Sequence, residues 1–359
     1  MPIRHSPLAL AACLLALSAC TSPTAAPSAR PATSAAPPGT TAAPAGATTS
    51  APPPARIPVR LAYTALVASQ SVPWIAQESG IFDRHGLDVS MTFLNGGPPG
   101  VAALVSGEVD VLIVGAASVI RSTIQGTDTA LIAGTKNQLV GDVMGKPEIR
   151  TPAELRGRRI GVASRGSNSE LVARVALLRN GLDPDEGITY LAVGSGGQRL
   201  AAMQQGTIDA CGCIPPDNIA AEEAGFHVIV DVTKLGVKYP ATSVATTRAK
   251  GQEQPELYRR FLAAMADGVY RYKNDPEFAL KVITDYTKID DQRALRAGYE
   301  IEREIMASDL QVDVEAIRAA MDEIAPTIPQ VTSYKPEDFL EPRFWNELKA
   351  DGYFERVGR

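Results

Sequence analysis

Two short loops carry the residues best suited to holding a ligand. Ser164-Arg165-Gly166-Ser167-Asn168-Ser169 runs straight into a helical pattern from Glu170 to Asn180. Gly194-Ser195-Gly196-Gly197 does the same before Gln198. A helix start presents N–H groups without partners and the positive end of the helix dipole, so anion binding is the chemistry such loops suit. Ordinary capping accounts for either loop alone, because Ser and Asn favour helix starts anyway. Two such loops beside one cleft make binding a working hypothesis. Other loops offer the same neutral groups: Thr64 to Pro73 with Thr64 and Ser69, Asn95-Gly96-Gly97-Pro98, Ala116-Ala117-Ser118, Thr135-Lys136-Asn137 and Pro215-Pro216-Asp217. Glycine lets a backbone approach a ligand, and hydroxyls and amides supply uncharged hydrogen bonds.

Several side chains admit two readings. Trp74 stacks on a ligand or anchors the core. Tyr239 closes over the cleft or packs at a hinge. Arg165 reads as a solvated loop charge and Arg121 as lying on an exposed helix face. Cys211 and Cys213 stand two apart on a strand and so share a face. A disulfide between them is expected to be strained. They read as small buried residues, with Cys213 a candidate to line the pocket and Pro216 beside it. Catalytic groups are scarce. His5, His85 and His227 are the three histidines, and none falls on these loops. No Ser-His-Asp or Cys-His set assembles there, and no Lys-Ser/Thr follows the Gly96-Gly97 turn as nucleotide hydrolysis would need. Neither a metal nor a cofactor is expected.

The elements that must position these loops alternate between strand and helix. Val59 to Ala65, Leu87 to Leu94, Val109 to Gly115 and Ala130 to Gly134 read as strands with helical crossovers, a largely parallel sheet. A second set follows Thr151-Pro152-Ala153-Glu154, a helix start with its reciprocal carboxylate. Its strands are Arg159 to Ala163, Ile188 to Val193, Ile208 to Ile214 and His227 to Asp231. Tyr239 to Thr247 reads as one more strand. Beyond it the chain is mostly helical, beginning with Leu257, Phe261, Met265 and Val269 at successive fours. Helices after two α/β units are best used as cover for the first. We therefore expect an α/β chain of two hinged lobes, each a mostly parallel sheet flanked by helices. Lobe I is 56–140 with 240–359, and lobe II is 141–239. The crossings fall near 138–150 and 232–241, and ligands are expected beyond the carboxyl ends of the strands.

The N-terminal segment sets the compartment. Arg4 and His5 precede an apolar run from Leu8 to Leu17, about half of what a ~20-residue span requires. Small residues then lead to Cys20, so 1–19 reads as an export signal. Residues 20–55 are almost wholly Ala, Pro, Thr, Ser and Gly and read as a disordered tether. The chain has 35 basic and 40 acidic residues with no basic cluster, which argues against a nucleic-acid partner.

Several stretches together resemble a known family. Gly80-Ile81-Phe82 followed by Gly86-Leu87-Asp88-Val89, Gly107-Glu108-Val109-Asp110-Val111, Thr151 to Val162, and Gly206-Thr207-Ile208-Asp209-Ala210 are similar in order and spacing to ABC-importer solute-binding proteins of the alkanesulfonate, taurine and nitrate type. The resemblance implies the type II periplasmic-binding-protein fold, a small-molecule ligand, and an ABC transporter permease and its ATPase as partners. Leu17-Ser18-Ala19-Cys20 resembles a bacterial lipobox. That implies lipidation at Cys20, attachment to a membrane through the lipid, and a chain exported to face the periplasm or cell exterior. An ordinary secretory signal is the plainer reading. A monomer is expected. Enzymes of thiamine-pyrimidine or menaquinone biosynthesis share the fold and supply the alternative, as does a sensory or adhesive domain.

Overall fold

The computed structural model describes residues 55–358. The expected signal at 1–19, Cys20 and all of the tether but Ala55 lie outside the described residues.

The first half of the fold builds outward from β1 (Ile57–Tyr63). It continues through α1 (Val72–Glu78), α2 (Ile81–Arg84), β2 (Leu87–Phe93), α3 (Gly97–Ser106), β3 (Val111–Val114), α4 (Ala116–Ile124) and β4 (Thr129–Gln138). A second sheet then follows from β5 (Asp142–Gly145), β6 (Arg159–Val162), α5 (Asn168–Arg179), β7 (Thr189–Ala192), α6 (Gly196–Gln204), β8 (Ala210–Cys213), α7 (Asp217–Glu223) and β9 (His227–Asp231). The chain returns along β10 (Lys238–Thr247) to the first sheet. The strand orders are β2-β1-β3-β10-β4 and β7-β6-β8-β5-β9. In each sheet one strand, β10 or β5, runs antiparallel to both neighbours. Those two are the strands by which the chain enters the other sheet. The sequence marks β10, but 138–150 is expected to be plain crossing, and so β5 goes unrecognised. With only four residues, all buried, β5 shows no alternation to read.

The Gly-x-Val/Ile-Asp motif has one structural job, done twice. Asp110 accepts hydrogen bonds from the Arg60 backbone N–H at 3.0 Å, from its guanidinium at 2.6 and 2.9 Å, and from Lys250 Nζ at 2.7 Å. Asp209 repeats the clamp in the second sheet with the Arg159 backbone, the Arg159 guanidinium and Lys146 Nζ. Burial works to raise Asp110, but the bonds from Arg60 and Lys250 outweigh it and hold the carboxyl at about 2. The Arg159 bonds hold Asp209 well below the usual carboxylate range. Each clamp ties the start of the third parallel strand to the first strand.

The helices after β10 cover the first sheet, as their apolar spacing implies. They are α8 (Arg248–Glu253), α9 (Pro255–Asn274), α10 (Pro276–Thr287), α11 (Gln292–Ile305), α12 (Val314–Ile324), α13 (Arg343–Ala350) and α14 (Tyr353–Arg356). Leu257, Phe261, Met265 and Val269 of α9 are all fully buried and join one apolar cluster with Val59 and Leu61 of β1. No helix among the described residues is long and apolar enough to cross a membrane.

Asp142 on β5 is buried, and this pushes its carboxyl up to about 6 although Asn218 donates a hydrogen bond to it. The unfolded chain binds its proton near pH 4 and the folded chain near pH 6. The folded state therefore holds the extra proton in that window, and stability falls as pH rises through it. Asp142→Asn is expected to raise stability at pH 7 by about 1–3 kcal/mol and to flatten the decline between pH 4 and 6. Urea denaturation at pH 4, 5, 6 and 7 measures this. An unchanged slope in the variant contradicts it.

Candidate ligand-binding site

The loops at the carboxyl ends of both sheets meet around a cavity of about 60 Å³. Residues from both sheets line it. Thr64, Ser69, Asn95, Gly96, Gly97 and Ser118 come from the first set of loops. Ser167, Asn168, Ser169, Ser195 and Gly196 come from the second. The two halves touch across this cavity. Asn168 Nδ2 donates to the Ala241 carbonyl on β10 at 2.6 Å, and Ser118 Oγ donates to the Gly166 carbonyl at 3.3 Å. Contact is tight enough that a Cβ on Gly115 would sit 2.0 Å from Asn168 Oδ1.

Near the cavity, the α5 start leaves three backbone donors unpaired among the described residues. Its N-cap, Ser167, turns its hydroxyl away, donating to the Ser164 carbonyl at 2.7 Å and meeting Ser169 Oγ at 2.9 Å. No side chain caps the helix, and the N–H groups of Asn168, Ser169 and Glu170 have no hydrogen-bond acceptor among the described residues. The α6 start is partly satisfied, since Ser195 and Gln198 form a reciprocal capping pair. The α4 start is also partly spent: the Ala117 N–H donates to Tyr239 Oη at 2.8 Å. The α3 start is poor in donors because Pro98 and Pro99 have no N–H.

Charged groups lie around the cavity in matched pairs. Lys136 of β4 lines it and donates to Glu302 of α11 at 2.8 Å, both side chains being almost wholly buried. Arg199 of α6 and Asp217 of α7 line the opposite wall and pair at 3.1 Å. Burial raises Asp217 to about 6 against the pull of Arg199, so the carboxyl is still mostly ionised at neutral pH. Each cation is already balanced, which leaves helix-start N–H groups as the uncommitted positive element facing a ligand. The first loop is held by Gln70, whose Oε1 accepts from the Thr64 and Ala65 N–H groups at 2.8 and 3.0 Å.

Other candidates from the sequence lie elsewhere. Trp74 is fully buried, stacked on Tyr286 with ring centres 4.9 Å apart and edge-on to Tyr63, so it anchors the core. Tyr239 is fully buried and serves as the α4 cap, which also takes Ala117 out of the cavity wall. Thr135 is pinned to β10, its Oγ1 donating to the Thr242 carbonyl. Asn137 holds the segment before α12 through Gln311 and Asp313. Ser164 sits at the seam against Gly96, and Gly166 faces an outer groove. The Gly194 carbonyl accepts from Arg199, and Pro216 packs on Gly298. Cys211 and Cys213 form a disulfide, contrary to the expectation of two free buried thiols. Their Cα atoms are 5.8 Å apart, inside the ordinary bridging range, so sharing a strand face does not forbid the bond. Cys213 packs with Met144, Ala202 and Met203 instead of lining the cavity. Lys136, Gln70, Arg199, Asp217 and Thr242 line the cavity without having been singled out.

The profile of the NMT1-like family matches residues 51–284, well over half of the chain. The chain belongs to the NMT1-like family. A candidate binding protein of Brucella abortus is 24% identical to this NMT1-like chain over 239 residues, which is 65% of this chain and 73% of the relative. Among solved structures, the alkanesulfonate-binding protein SsuA from Xanthomonas axonopodis, bound to MOPS, superposes with a TM-score of 0.65 at 17% identity, covering 80% of this chain and 96% of that one. The periplasmic nitrate-binding protein NrtA from Synechocystis gives 0.67 at 11%, covering 85% and 99%. A mutant of DszB in complex with biphenyl-2-sulfinic acid gives 0.61 at 15%, covering 82% and 99%. The NMT1-like chain thus has the two-lobe α/β fold of periplasmic binding proteins that its sequence motifs resemble.

Proposed function

We propose that this chain is the solute-binding component of an ABC importer and that it closes around a small solute bearing one oxyanion group. The observation that carries the reading is the cavity between the two sheets, which Asn168 and Ser169 of the α5 start line. A cavity of about 60 Å³ suits a solute of few non-hydrogen atoms. Nitrate, a short sulfonate or a short carboxylate fits that size, and the names of SsuA and NrtA support the same chemistry. The lobes, 56–140 with 240–359 and 141–239, open and close about the two crossings, and ligand contacts to both lobes shift the population to the closed form. The closed form then docks on the permease, which its ATPase drives. The Cys211–Cys213 disulfide supports an oxidising compartment outside the cytoplasm. Lipid attachment at Cys20, the tether at 20–55 and a monomeric state belong to the same reading. No histidine or free thiol lines the cavity among the described residues, which supports a binder over an enzyme.

Thermal melting against nitrate, methanesulfonate, acetate, sulfate and neutral amino acids tests this. One oxyanion at a hundred times its dissociation constant is expected to contribute about 2.7 kcal/mol, a rise of roughly 3–5 °C. A panel in which neutral solutes raise the midpoint and oxyanions do not contradicts the proposal. Recovery of a chemically altered compound by mass spectrometry supports the enzyme reading instead.

A further inference from the structure

A second compartment lies on the far side of the Ser118–Gly166 contact. It is a groove of about 550 Å³ between α3 and α4 of one sheet and the start of α5 of the other. That volume is within the usual range for small-molecule sites, and the inner cavity is far below it. Three arginines line the groove: Arg121, Arg165 and Arg174. Two carboxylates accompany them, and both are already engaged. Glu170 pairs with Arg165 at 3.0 Å, and Asp185 takes two hydrogen bonds from Arg174 at 2.5 and 2.8 Å. The positive charge in excess is that of Arg121. The sequence places Arg121 on an exposed helix face, but in the structure it is half-buried in this groove. It makes no ion pair among the described residues. Its only hydrogen bond among them is a long one to Thr327 Oγ1 at 3.4 Å, and its Nε is buried without a partner there. Opposite the arginines, α3 presents an apolar wall of Pro98, Val101, Ala102 and Val105, the last of them 47% exposed.

An uncompensated guanidinium facing an apolar wall suits a ligand with one acidic group and an apolar body. We propose that this groove is a second ligand site, separate from the inner cavity, that binds an amphiphilic monoanion with its acidic group on Arg121 and its apolar body against α3. Arg165 and Arg174 flank the acidic group but keep their own carboxylates. The groove is assembled from both sheets, so its occupant contacts both lobes.

The probe is 2-naphthalenesulfonate, titrated calorimetrically into the full-length protein, with neutral 2-naphthol and methanesulfonate as the half-molecule controls. Naphthalenesulfonate is expected to bind at least roughly tenfold more tightly than either control. Arg121→Gln and Val105→Asp are each expected to weaken it by roughly tenfold or more, the second by setting a like charge on an exposed position of the wall. Ser69→Asp, which puts a negative charge in the inner cavity at a side chain that joins no contact between the sheets, is expected to change it by less than about threefold. If Arg121→Gln lowers the melting point, Val105→Asp decides the matter. The proposal is overturned if both groove variants bind as the parent does, if Ser69→Asp alone abolishes binding, or if the parent does not bind the probe below about 10 mM. None of those results bears on the inner cavity's response to small oxyanions.

Discussion

Replacing Asp217 by alanine is expected to destabilise the folded protein by about 3–5 kcal/mol, because it strands the Arg199 guanidinium in a site with no other carboxylate. Arg199 is only 4% exposed and Asp217 is similarly enclosed. Its remaining hydrogen bond goes to the Gly194 carbonyl, which does not neutralise it. Asp217 also fills the space above Gly196, where a Cβ would fall 1.9 Å from its carboxyl carbon. Removing both charges together, as Arg199→Met with Asp217→Leu, should recover a large part of the loss, since apolar groups of matching volume replace a buried pair at little cost. Urea denaturation of the single and double variants separates the two effects. A loss below about 1 kcal/mol for Asp217→Ala would mean that water reaches the pair and that the cavity wall is not dry.

The second large effect is expected on binding and not on folding. Gly115→Val should weaken the oxyanion ligand by about a hundredfold or more while shifting the melting point of the unliganded protein little. Gly115 has an ordinary extended backbone, with φ −78° and ψ 144°, so valine is tolerated locally. The obstacle arises only when the two halves meet, because the new side chain then occupies the position of the Asn168 amide. Asn168 cannot move aside freely while it donates to the Ala241 carbonyl. Asn168→Ala in the Gly115→Val background removes the obstruction, and some affinity should return despite the lost hydrogen bond. Isothermal titration of the parent and the two variants measures this. Equal affinity for Gly115→Val and the parent would show that the ligand does not need the halves to close.

Most of the architecture could be read from the sequence, because parallel strands and their crossover helices carry strong apolar runs. The Asp110 and Asp209 motifs marked strand starts, and the structure gives the reason in two matching clamps to Arg60 and Arg159. The candidate site was legible only in part. Loops that end in helix starts were found, since Ser, Asn and Gly announce them. Side chains on strands were not. The sequence points to Thr135 and Asn137, yet Lys136 between them faces the cavity. Parity along β4 is invisible in sequence because eight successive residues, from Thr129 to Lys136, are all buried. Tyr239 was placed at the cleft by its position at a crossing, and its hydroxyl instead spends one donor of α4. Long-range partners such as Glu302 for Lys136 and Asp217 for Arg199 leave no local pattern, because tertiary packing alone brings them together. Spacing along one strand face argues against the disulfide, yet its Cα separation lies within the normal range.

A crystal structure of the protein grown with the tightest-binding small oxyanion is the most direct measurement. Oxyanion oxygens are expected within about 3 Å of the N–H groups of Asn168 and Ser169, with both sheets in contact with the solute. An anion held instead by arginine side chains on one half alone, with the α5 N–H groups facing water, would contradict solute capture by the α5 helix start.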